Sequence, residues 1–232
     1  MITLKGLTKT YGRVRAVDNV SLEIPDGEFT FIAGRSGSGK TTLLSMIAGL
    51  TKPTSGQVLI NNTDIWTLRD KELSALRNSR MGFMFQGGYV IPTLNVIDNV
   101  MLPTIFGNAD FDVYGKSRRI LEKVGLPGAA NRFPNELSGG ERRRISIARA
   151  LMNDPKIILA DEPTAELDVE TEAEIMHLLS EVHHLGGVTM LMVSHSYDLA
   201  SYATRRFTMN RGTLTEADMP TLGERSVSDE SL

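Results

Sequence analysis

A glycine-rich loop between an apolar segment and an amphipathic segment constrains the fold of this chain more than any other feature. The loop runs from Gly34 to Thr41, reads Gly-Arg-Ser-Gly-Ser-Gly-Lys-Thr, and directly follows the mostly apolar residues 29–33. Its spacing matches the phosphate-binding pattern G-x-x-x-x-G-K-[ST], which occupies the turn between a buried strand and the N-terminus of a helix. The sequence therefore predicts an α/β fold of the P-loop type.

The chemistry of this loop follows from its residue types. Glycines let backbone N–H groups turn inward around phosphate oxygens, and the positive end of the following helix dipole favours an anion. Lys40 adds a full positive charge, and the Thr41 hydroxyl is a ligand for Mg²⁺. A chance glycine loop is the alternative, but both flanking elements that the motif requires are present. The loop predicts nucleotide binding.

A pair of acidic residues gives the second indication. Asp161 and Glu162 directly follow the apolar residues 157–160, which read as a buried strand. A carboxylate at that strand end can hold Mg²⁺, and the next one can accept a proton from an attacking water. Adjacent acids are common in loops, so this pair indicates catalysis only because it accompanies the glycine loop.

A second candidate anion site begins at Leu137. The segment Leu137-Ser138-Gly139-Gly140-Glu141 precedes a helical pattern that continues to Leu151. A hydroxyl and two glycines ahead of a helix can bind an anion, although a serine N-cap followed by a glycine turn is an alternative interpretation. The arginines at positions 142–144 lie in a chain of net charge −3, so we interpret them as a solvated or salt-bridged helix face and expect no nucleic acid.

The order of segments predicts one domain over residues 1–222. Short strand patterns dominate up to residue 33, helical patterns dominate about 88–156, and strand patterns return at 157–160 and 188–193. We expect an α/β core with an antiparallel β subdomain and an inserted helical subdomain, followed by a disordered polar tail at 223–232. The chain has no cysteine, which excludes disulfides, and no apolar stretch long enough for a transmembrane helix or signal peptide. We expect a cytoplasmic protein.

Taken in order, these motifs resemble the nucleotide-binding subunit of ABC transporters. The resemblance covers roughly residues 2–216, and the helix from Arg142 to Leu151 is similar to the family's signature helix. It implies a RecA-like P-loop NTPase core. The segment Leu159-Ala160-Asp161-Glu162-Pro163-Thr164 is most similar to the branch that serves lipoprotein release, macrolide export and cell division.

The resemblance also implies roles for single residues. Glu162 would be the general base, Lys40 would stabilise charge, and His195 would contact the γ-phosphate, although a lone histidine at a strand end is more often structural. Gln86 would join Thr41 and Asp161 around Mg²⁺. The implied ATP contacts are Tyr11, Gly34, Arg35, Ser36, Gly37, Ser38, Gly39, Lys40, Thr41, Thr42, Ser138, Gly139, Gly140, Glu141 and Asp168.

One motif departs from the family. Glu166 stands where the family usually has a small residue before Leu167 and Asp168. We expect Glu166 to alter contacts across a dimer while Asp168 itself is intact.

The function implied by the resemblance is ATP hydrolysis coupled to transport. The chain would form a homodimer around two ATP molecules and drive a separate membrane-spanning permease, which would hold it on the inner face of the membrane. The alternatives are a non-transport ABC-type ATPase of DNA repair or translation, the ATPase of a cell-division complex, and an inactive binding module. The sequence has neither a heptad run nor a second cassette, which disfavours an ATPase of DNA repair or translation. Intact Lys40 and Glu162 disfavour an inactive binding module.

An apolar segment after Gln86 is the candidate contact with the permease. It spans residues 87–94 and continues through Val96, Val100 and Leu102, and its glycines and prolines disfavour one regular core helix. Such a stretch is a candidate groove for an amphipathic helix. Packing within the helical subdomain is the alternative.

Overall fold

A computed structural model of the 232-residue chain describes residues 1–87, 89–107 and 110–217. The predicted tail at 223–232 lies outside these ranges. Within them the strands are β1 (Ile2–Tyr11), β2 (Val14–Ile24), β3 (Phe29–Ala33), β4 (Ser55–Ile60), β5 (Thr63–Asp64), β6 (Met81–Met84), β7 (Ile157–Asp161), β8 (Thr189–Ser194), β9 (Arg205–Asn210) and β10 (Thr213–Glu216). The α-helices are α1 (Lys40–Ile47), α2 (Asp70–Arg80), α3 (Val96–Met101), α4 (Val113–Lys123), α5 (Gly139–Leu151) and α6 (Val169–Gly186). Short 3₁₀ helices cover Ile65–Thr67, Leu102–Phe106, Pro134–Glu136 and Tyr197–Tyr202.

A six-stranded sheet in the order β10-β9-β3-β8-β7-β6 forms the centre of the molecule. The strands from β9 to β6 run parallel, and β10 is an antiparallel edge strand. Every residue of β3, β7 and β8 is buried. Continuous apolar runs of this kind are typical of parallel strands that are covered on both faces.

A second sheet is antiparallel and has the order β2-β1-β4-β5. Burial alternates along the end of β2, from Val20 to Ile24. Leu4, Leu7 and Val58 face a core that also contains Leu43 and Ile47 of α1. Gly56 has a φ of +87°, and a Cβ there would lie 2.4 Å from the carbonyl oxygen of Gly6. The sheet is the expected antiparallel β subdomain, and it packs on the same face of the central sheet as α1.

The helical segment lies between β6 and β7. In the described part of that segment there is no strand, and α3, α4 and α5 pack together and continue into the core on the other face of the central sheet. The helices begin at side-chain caps: Asn95 accepts a hydrogen bond from Asp98 N, and Asp112 accepts one from Gly115 N. No helix in the described residues is long and apolar enough to cross a membrane.

The parallel arrangement determines where the functional residues meet. The carboxyl ends of β3, β7 and β8 lie at the same edge of the sheet, and the chain leaves them at Gly34, Glu162 and His195. In open α/β sheets, ligands bind outside this edge.

Candidate nucleotide-binding site

The glycine loop lies between β3 and α1, where its motif predicts it. Gly39 has a φ of +108°, and a Cβ there would lie 2.1 Å from the carbonyl oxygen of Ala16, so only glycine fits. The buried Lys40 donates hydrogen bonds through Nζ to the carbonyl oxygens of Gly34 at 2.6 Å and Arg35 at 3.2 Å. The Ser38 hydroxyl is buried without a hydrogen-bond partner among the described residues. An unpartnered donor in a cradle of backbone amides fits a bound anion.

Glu162 is the residue on which this site converges. Its Oε1 lies 3.6 Å from Lys40 Nζ, and its Oε2 accepts hydrogen bonds from Ser194 Oγ at 2.9 Å and His195 N at 3.2 Å. The Nδ1 atom of His195 is 2.9 Å from the same oxygen. Glu162 is buried and has a φ of +47°, a conformation that a side-chain-bearing residue adopts rarely and mostly where the surroundings impose it.

Asp161 lies on the other side of the site, beside α1. Its Oδ1 accepts a hydrogen bond from Thr41 Oγ1 at 3.2 Å. Burial raises the pKa of Asp161, and the neighbouring Glu162 charge adds to this, while the Thr41 hydrogen bond and Lys40 act in the opposite direction. A buried carboxylate beside a hydroxyl is a ligand pair that suits a hard cation such as Mg²⁺.

A cleft of about 700 Å³ unites most of the predicted residues. Its size is within the usual range for small-molecule sites. Gln86, in the loop after β6, and Ala16, in β2, both face it. The other lining residues are Arg35, Ser36, Gly37, Ser38, Gly39, Lys40, Thr41, Thr42, Glu162 and His195.

Tyr11 does not line this cleft. It is half exposed at the end of β1, and Lys9 Nζ lies 5.0 Å from the centre of its ring. Its predicted contact with ATP therefore stays a prediction.

The second predicted anion site is a helix cap. Ser138 Oγ accepts a hydrogen bond from Glu141 N at 3.1 Å, and Glu141 Oε2 accepts one from Ser138 N at 2.8 Å, which forms a capping box. The hydrogen bond from the Ser138 N–H also makes the largest contribution to lowering the pKa of Glu141. Within one chain, the contacts of this segment are therefore those of a serine N-cap, the alternative to an anion site.

This cap lies outside the cleft, next to the loop that carries Asp168. A Cβ on Gly140 would lie 2.6 Å from Thr171 Cγ2, and Asp168 in turn accepts hydrogen bonds from Thr171 N and Oγ1. Neither Ser138 nor Asp168 lines the cleft of its own chain. Ser138, Gly139 and Asp168 are exposed and lie outside the cleft that the phosphate loop lines.

The unusual Glu166 lies in the same loop. It is exposed and has a φ of +67°. Below it, the buried Arg143 donates a hydrogen bond to the carbonyl oxygen of Ala165 at 2.8 Å. Burial lowers the pKa of the Arg143 guanidinium, and the Glu166 charge partly offsets this effect.

Sequence reasoning missed Ser194. The residue is 2% exposed, and besides donating to Glu162 it accepts a hydrogen bond from Ser196 N at 3.1 Å. Its position at the carboxyl end of β8, directly before His195, is a signal that could have identified it, because ligand sites of parallel sheets lie at that edge.

A separate groove of about 470 Å³ lies beside the segment after Gln86. Phe85, Tyr89, Ile91 and other apolar residues line it, which agrees with the predicted exposed segment. The extension of that segment through Val96 and Val100 was wrong, because both side chains are fully buried in the core. They lie one turn apart on the inner face of α3, and this spacing favours core packing.

Asn99 fixes the wall of this groove. It is fully buried in α3 and accepts a hydrogen bond from Ile91 N at 2.7 Å. Its Nδ2 group lies within hydrogen-bond distance of the carbonyl oxygens of Ile91, Leu94 and Asn95. The loop is thereby tied to the helical segment.

Comparisons with known proteins agree on one family. A family model described as ABC transporter matches residues 17–165. The macrolide export ATP-binding/permease protein MacB of Chlorobaculum tepidum is 41% identical over 93% of this chain, which covers 34% of that relative. The lipoprotein-releasing system ATP-binding protein LolD of Bacteroides thetaiotaomicron is 40% identical over 92% of this chain and 99% of its own length.

The solved structures give the same result. A dimeric post-hydrolysis state of an ATP-binding cassette with bound ADP and Pi is 40% identical, with a TM-score of 0.85 over 93% of this chain and 98% of that one. The chain thus spans about a third of the length of the macrolide export relatives and nearly all of the cassette.

Proposed function

The chain belongs to the ABC transporter family, and we propose that it hydrolyses ATP as a homodimer to drive a separate membrane-spanning permease. The fold class, the family and the enzyme class predicted from the sequence, an ATPase of the ABC type, are confirmed. Residue roles, the dimer and the permease are the parts proposed here.

The observation that carries the proposal is the set of contacts around Glu162. Lys40, Ser194 and His195 surround its carboxylate at the edge of the cleft. Water attacks the terminal phosphorus of ATP, its proton passes to Glu162, and the bond to the bridging oxygen breaks to release ADP and phosphate. Lys40 and the loop amides stabilise the charge on the phosphoryl oxygens, and His195 contacts the γ-phosphate.

Lys40 lies between two backbone carbonyl groups and the Glu162 carboxylate. Its ammonium group is satisfied by the Gly34 and Arg35 carbonyl oxygens and lies close to Glu162. A phosphate with more negative charge than these carbonyls would draw Lys40 toward itself. Glu162 Oε1 would then be free to accept the proton of a water.

Thr41, Asp161 and Gln86 are the residues that would hold Mg²⁺. When bound, the ion neutralises charge on the phosphate oxygens. The described residues contain no cluster of three acidic or histidine side chains that could hold a metal alone. This agrees with a cation that takes one carboxylate, that of Asp161, beside the oxygens of Thr41 and Gln86, and its other ligands from phosphate and water.

The position of Ser138 supports a homodimer. Ser138, Gly139, Gly140 and Glu141 lie outside their own cleft, on the surface that also carries Asp168. A second copy related by a two-fold axis would place this surface against the phosphate loop of the first. The related cassette structure is itself dimeric. Each ATP would then lie between two chains.

The proposals about the permease and the cargo are based on the names of the relatives. The relatives described above are named for macrolide export and lipoprotein release, so we propose a cargo of one of these classes, with the chain on the inner face of the membrane. The groove beside Tyr89 is the proposed contact with the permease.

Substitution of Glu162 by Gln tests the proposal. It keeps the size of the side chain but removes the proton acceptor, so hydrolysis should fall by about 10²–10⁴-fold while ATP binding persists. The matched control is Glu181→Gln, an exposed glutamate of α6 that does not line the cleft. Release of phosphate at a near-parental rate by the Glu162 variant would contradict the catalytic assignment.

A further inference from the structure

The surface around Ser138 carries a negative charge of its own. A capping box needs a side-chain acceptor at the third helical position, and either Glu or Gln supplies one. This chain has Glu141 there, and its Oε2 accepts the Ser138 N–H at 2.8 Å. The hydrogen bond from Ser138 N lowers the pKa of Glu141 most and Arg132 lowers it further, while partial burial acts in the opposite direction. The Glu141 carboxylate is therefore a fixed anion on this surface at neutral pH.

Arg132 binds this carboxylate from outside the helix. It lies between α4 and the 3₁₀ helix Pro134–Glu136, and its Nη1 donates a hydrogen bond to Glu141 Oε1 at 2.8 Å. The two oxygens of Glu141 thus have separate partners, Arg132 and the Ser138 N–H. Through Nη2, Arg132 also donates to the carbonyl oxygen of Glu136. Among the residues that the structure describes, Arg132 is the only cation paired with Glu141.

The backbone of Arg132 is held in place by its neighbours. Its carbonyl oxygen accepts a hydrogen bond from Val96 N at 2.9 Å, and its N–H donates to the carbonyl oxygen of Ala129 at 3.0 Å. The side chains of the pair are 40% exposed for Arg132 and 29% exposed for Glu141. Ion pairs as exposed as this one contribute little to the stability of a single chain. The position of the pair, beside the proposed contact with the partner's ATP, therefore points to a role in the dimer.

The charge of ATP gives the pair such a role. A triphosphate carries several negative charges, and a single carboxylate held close to it would repel it. An Arg–Glu pair has no net charge, so it keeps the capping acceptor without this repulsion. A Gln in place of Glu141 would do the same without any arginine.

We propose that Arg132 is a positioning residue for the ATP bound by the partner chain, because it holds Glu141 in the capping box and neutralises its charge. The inference rests on the proposed homodimer and adds a specific dependence within it. A carboxylate at position 141 needs the cation at position 132, whereas a neutral Gln at position 141 does not.

ATP-driven dimerisation of four proteins tests this dependence. Glu162→Gln is the reference, and its dimer Kd is measured by sedimentation with ATP and Mg²⁺. Adding Arg132→Gln should raise the Kd at least about tenfold, because a two-fold dimer contains two such sites and both would repel the phosphates. Adding Glu141→Gln instead should lower the Kd. Adding both should return the Kd to within about threefold of the reference, because Gln keeps the cap and removes the charge.

Further measurements separate the effect of charge from a loss of structure. At protein concentrations too low for dimers, ATP affinity should be equal in all four proteins, because neither Arg132 nor Glu141 lines the cleft of its own chain. The loss caused by Arg132→Gln should shrink in about 1 M salt, where the Debye length is only about 3 Å. Arg132→Lys keeps the charge and should keep most of the dimer affinity.

Arg144→Gln is the matched control. Arg144 lies on α5 and, like Arg132, donates to one carboxylate and one carbonyl oxygen, those of Glu174 at 2.7 Å and Val124 at 3.0 Å. Neither partner belongs to the capping box of Ser138. In the reference background this variant should dimerise like the reference, and thermal melts check that every protein is folded.

Four results would overturn the inference. They are an Arg132→Gln dimer as tight as the reference, a double variant as weak as Arg132→Gln alone, an equal loss in Arg144→Gln, and a Glu141→Gln dimer weaker than the reference. The last result is decisive even when Arg132→Gln does not fold. A reference protein that stays monomeric with ATP would refute the proposed homodimer itself, whereas the four results above would leave the homodimer standing and refute only the role of Arg132.

Discussion

Replacement of Ser194 by Ala removes a single hydroxyl from behind the proposed catalytic carboxylate. That hydroxyl is buried, donates to Glu162 Oε2 at 2.9 Å, and does not line the cleft. A hydrogen bond to a charged group contributes about 1.5–3 kcal/mol, and about 1.36 kcal/mol corresponds to a tenfold change in rate. If the bond serves to hold Glu162 in position, kcat should fall by roughly 10- to 100-fold.

The loss should be smaller than that of Glu162→Gln. In the Ser194 variant, Glu162 keeps its charge and its two contacts with His195 at N and Nδ1. The KM for ATP should change by less than about twofold, because Ser194 makes no contact with the cleft.

Steady-state hydrolysis of ATP measures kcat and KM of the Ser194→Ala variant, and a thermal melt of each protein checks that it is folded. Ser194→Thr keeps the hydroxyl and should recover most of the turnover. A folded Ser194→Ala protein with parental kcat would refute the positioning role. A change in KM alone would show instead that Ser194 affects nucleotide binding.

Two further substitutions test the surroundings of the site. Asn99→Ala leaves the Ile91 N–H and several loop carbonyls without partners, so it should cost about 2–4 kcal/mol and lower Tm by roughly 4–16 °C. An unchanged Tm in calorimetry would contradict this. Burial raises the pKa of Asp161 above its unfolded value, so its contribution to stability is present at low pH and is lost as pH rises through the raised pKa. At neutral pH without Mg²⁺, the Asp161→Asn variant should therefore melt at a temperature equal to or higher than that of the parent, and it should lose ATP hydrolysis. A lower Tm would show that the Asp161 charge is stabilising.

Much of the site could be predicted because its residues follow strands of one parallel sheet. Gly34, Asp161 and His195 are far apart in sequence, yet Gly34 and Asp161 directly follow apolar runs and His195 follows one after a single serine. Parallel strands of such runs end at one edge, so the convergence on Glu162 follows from the topology.

The order of the strands could not be predicted in the same way. β9 lies beside β3, although most of the chain separates them, and β10 is an antiparallel edge to the sheet. Such neighbours depend on long-range packing, which a local pattern does not contain. The Ser194 contact with Glu162 has the same origin, since it needs the register between β7 and β8.

The apolar segment after Gln86 shows a different limit. Val96 and Val100 read as part of an exposed stretch, but α3 turns them into the core and leaves Tyr89 and Ile91 outside. A helix as short as α3 gives too few turns for periodicity to separate an inner from an outer face. The polar Asn99, buried between them, also weakened that signal.

The central claim, that Ser138 of one chain completes the ATP site of another, is tested most directly by sedimentation of two variants. Glu162→Gln with ATP and Mg²⁺ should sediment as a dimer, because ATP binds but is not consumed. Adding Ser138→Arg to that variant should return it to a monomer that still binds ATP, since Ser138 lies outside its own cleft. A Glu162→Gln protein that stays monomeric, or a dimer that Ser138→Arg leaves intact, would contradict the account.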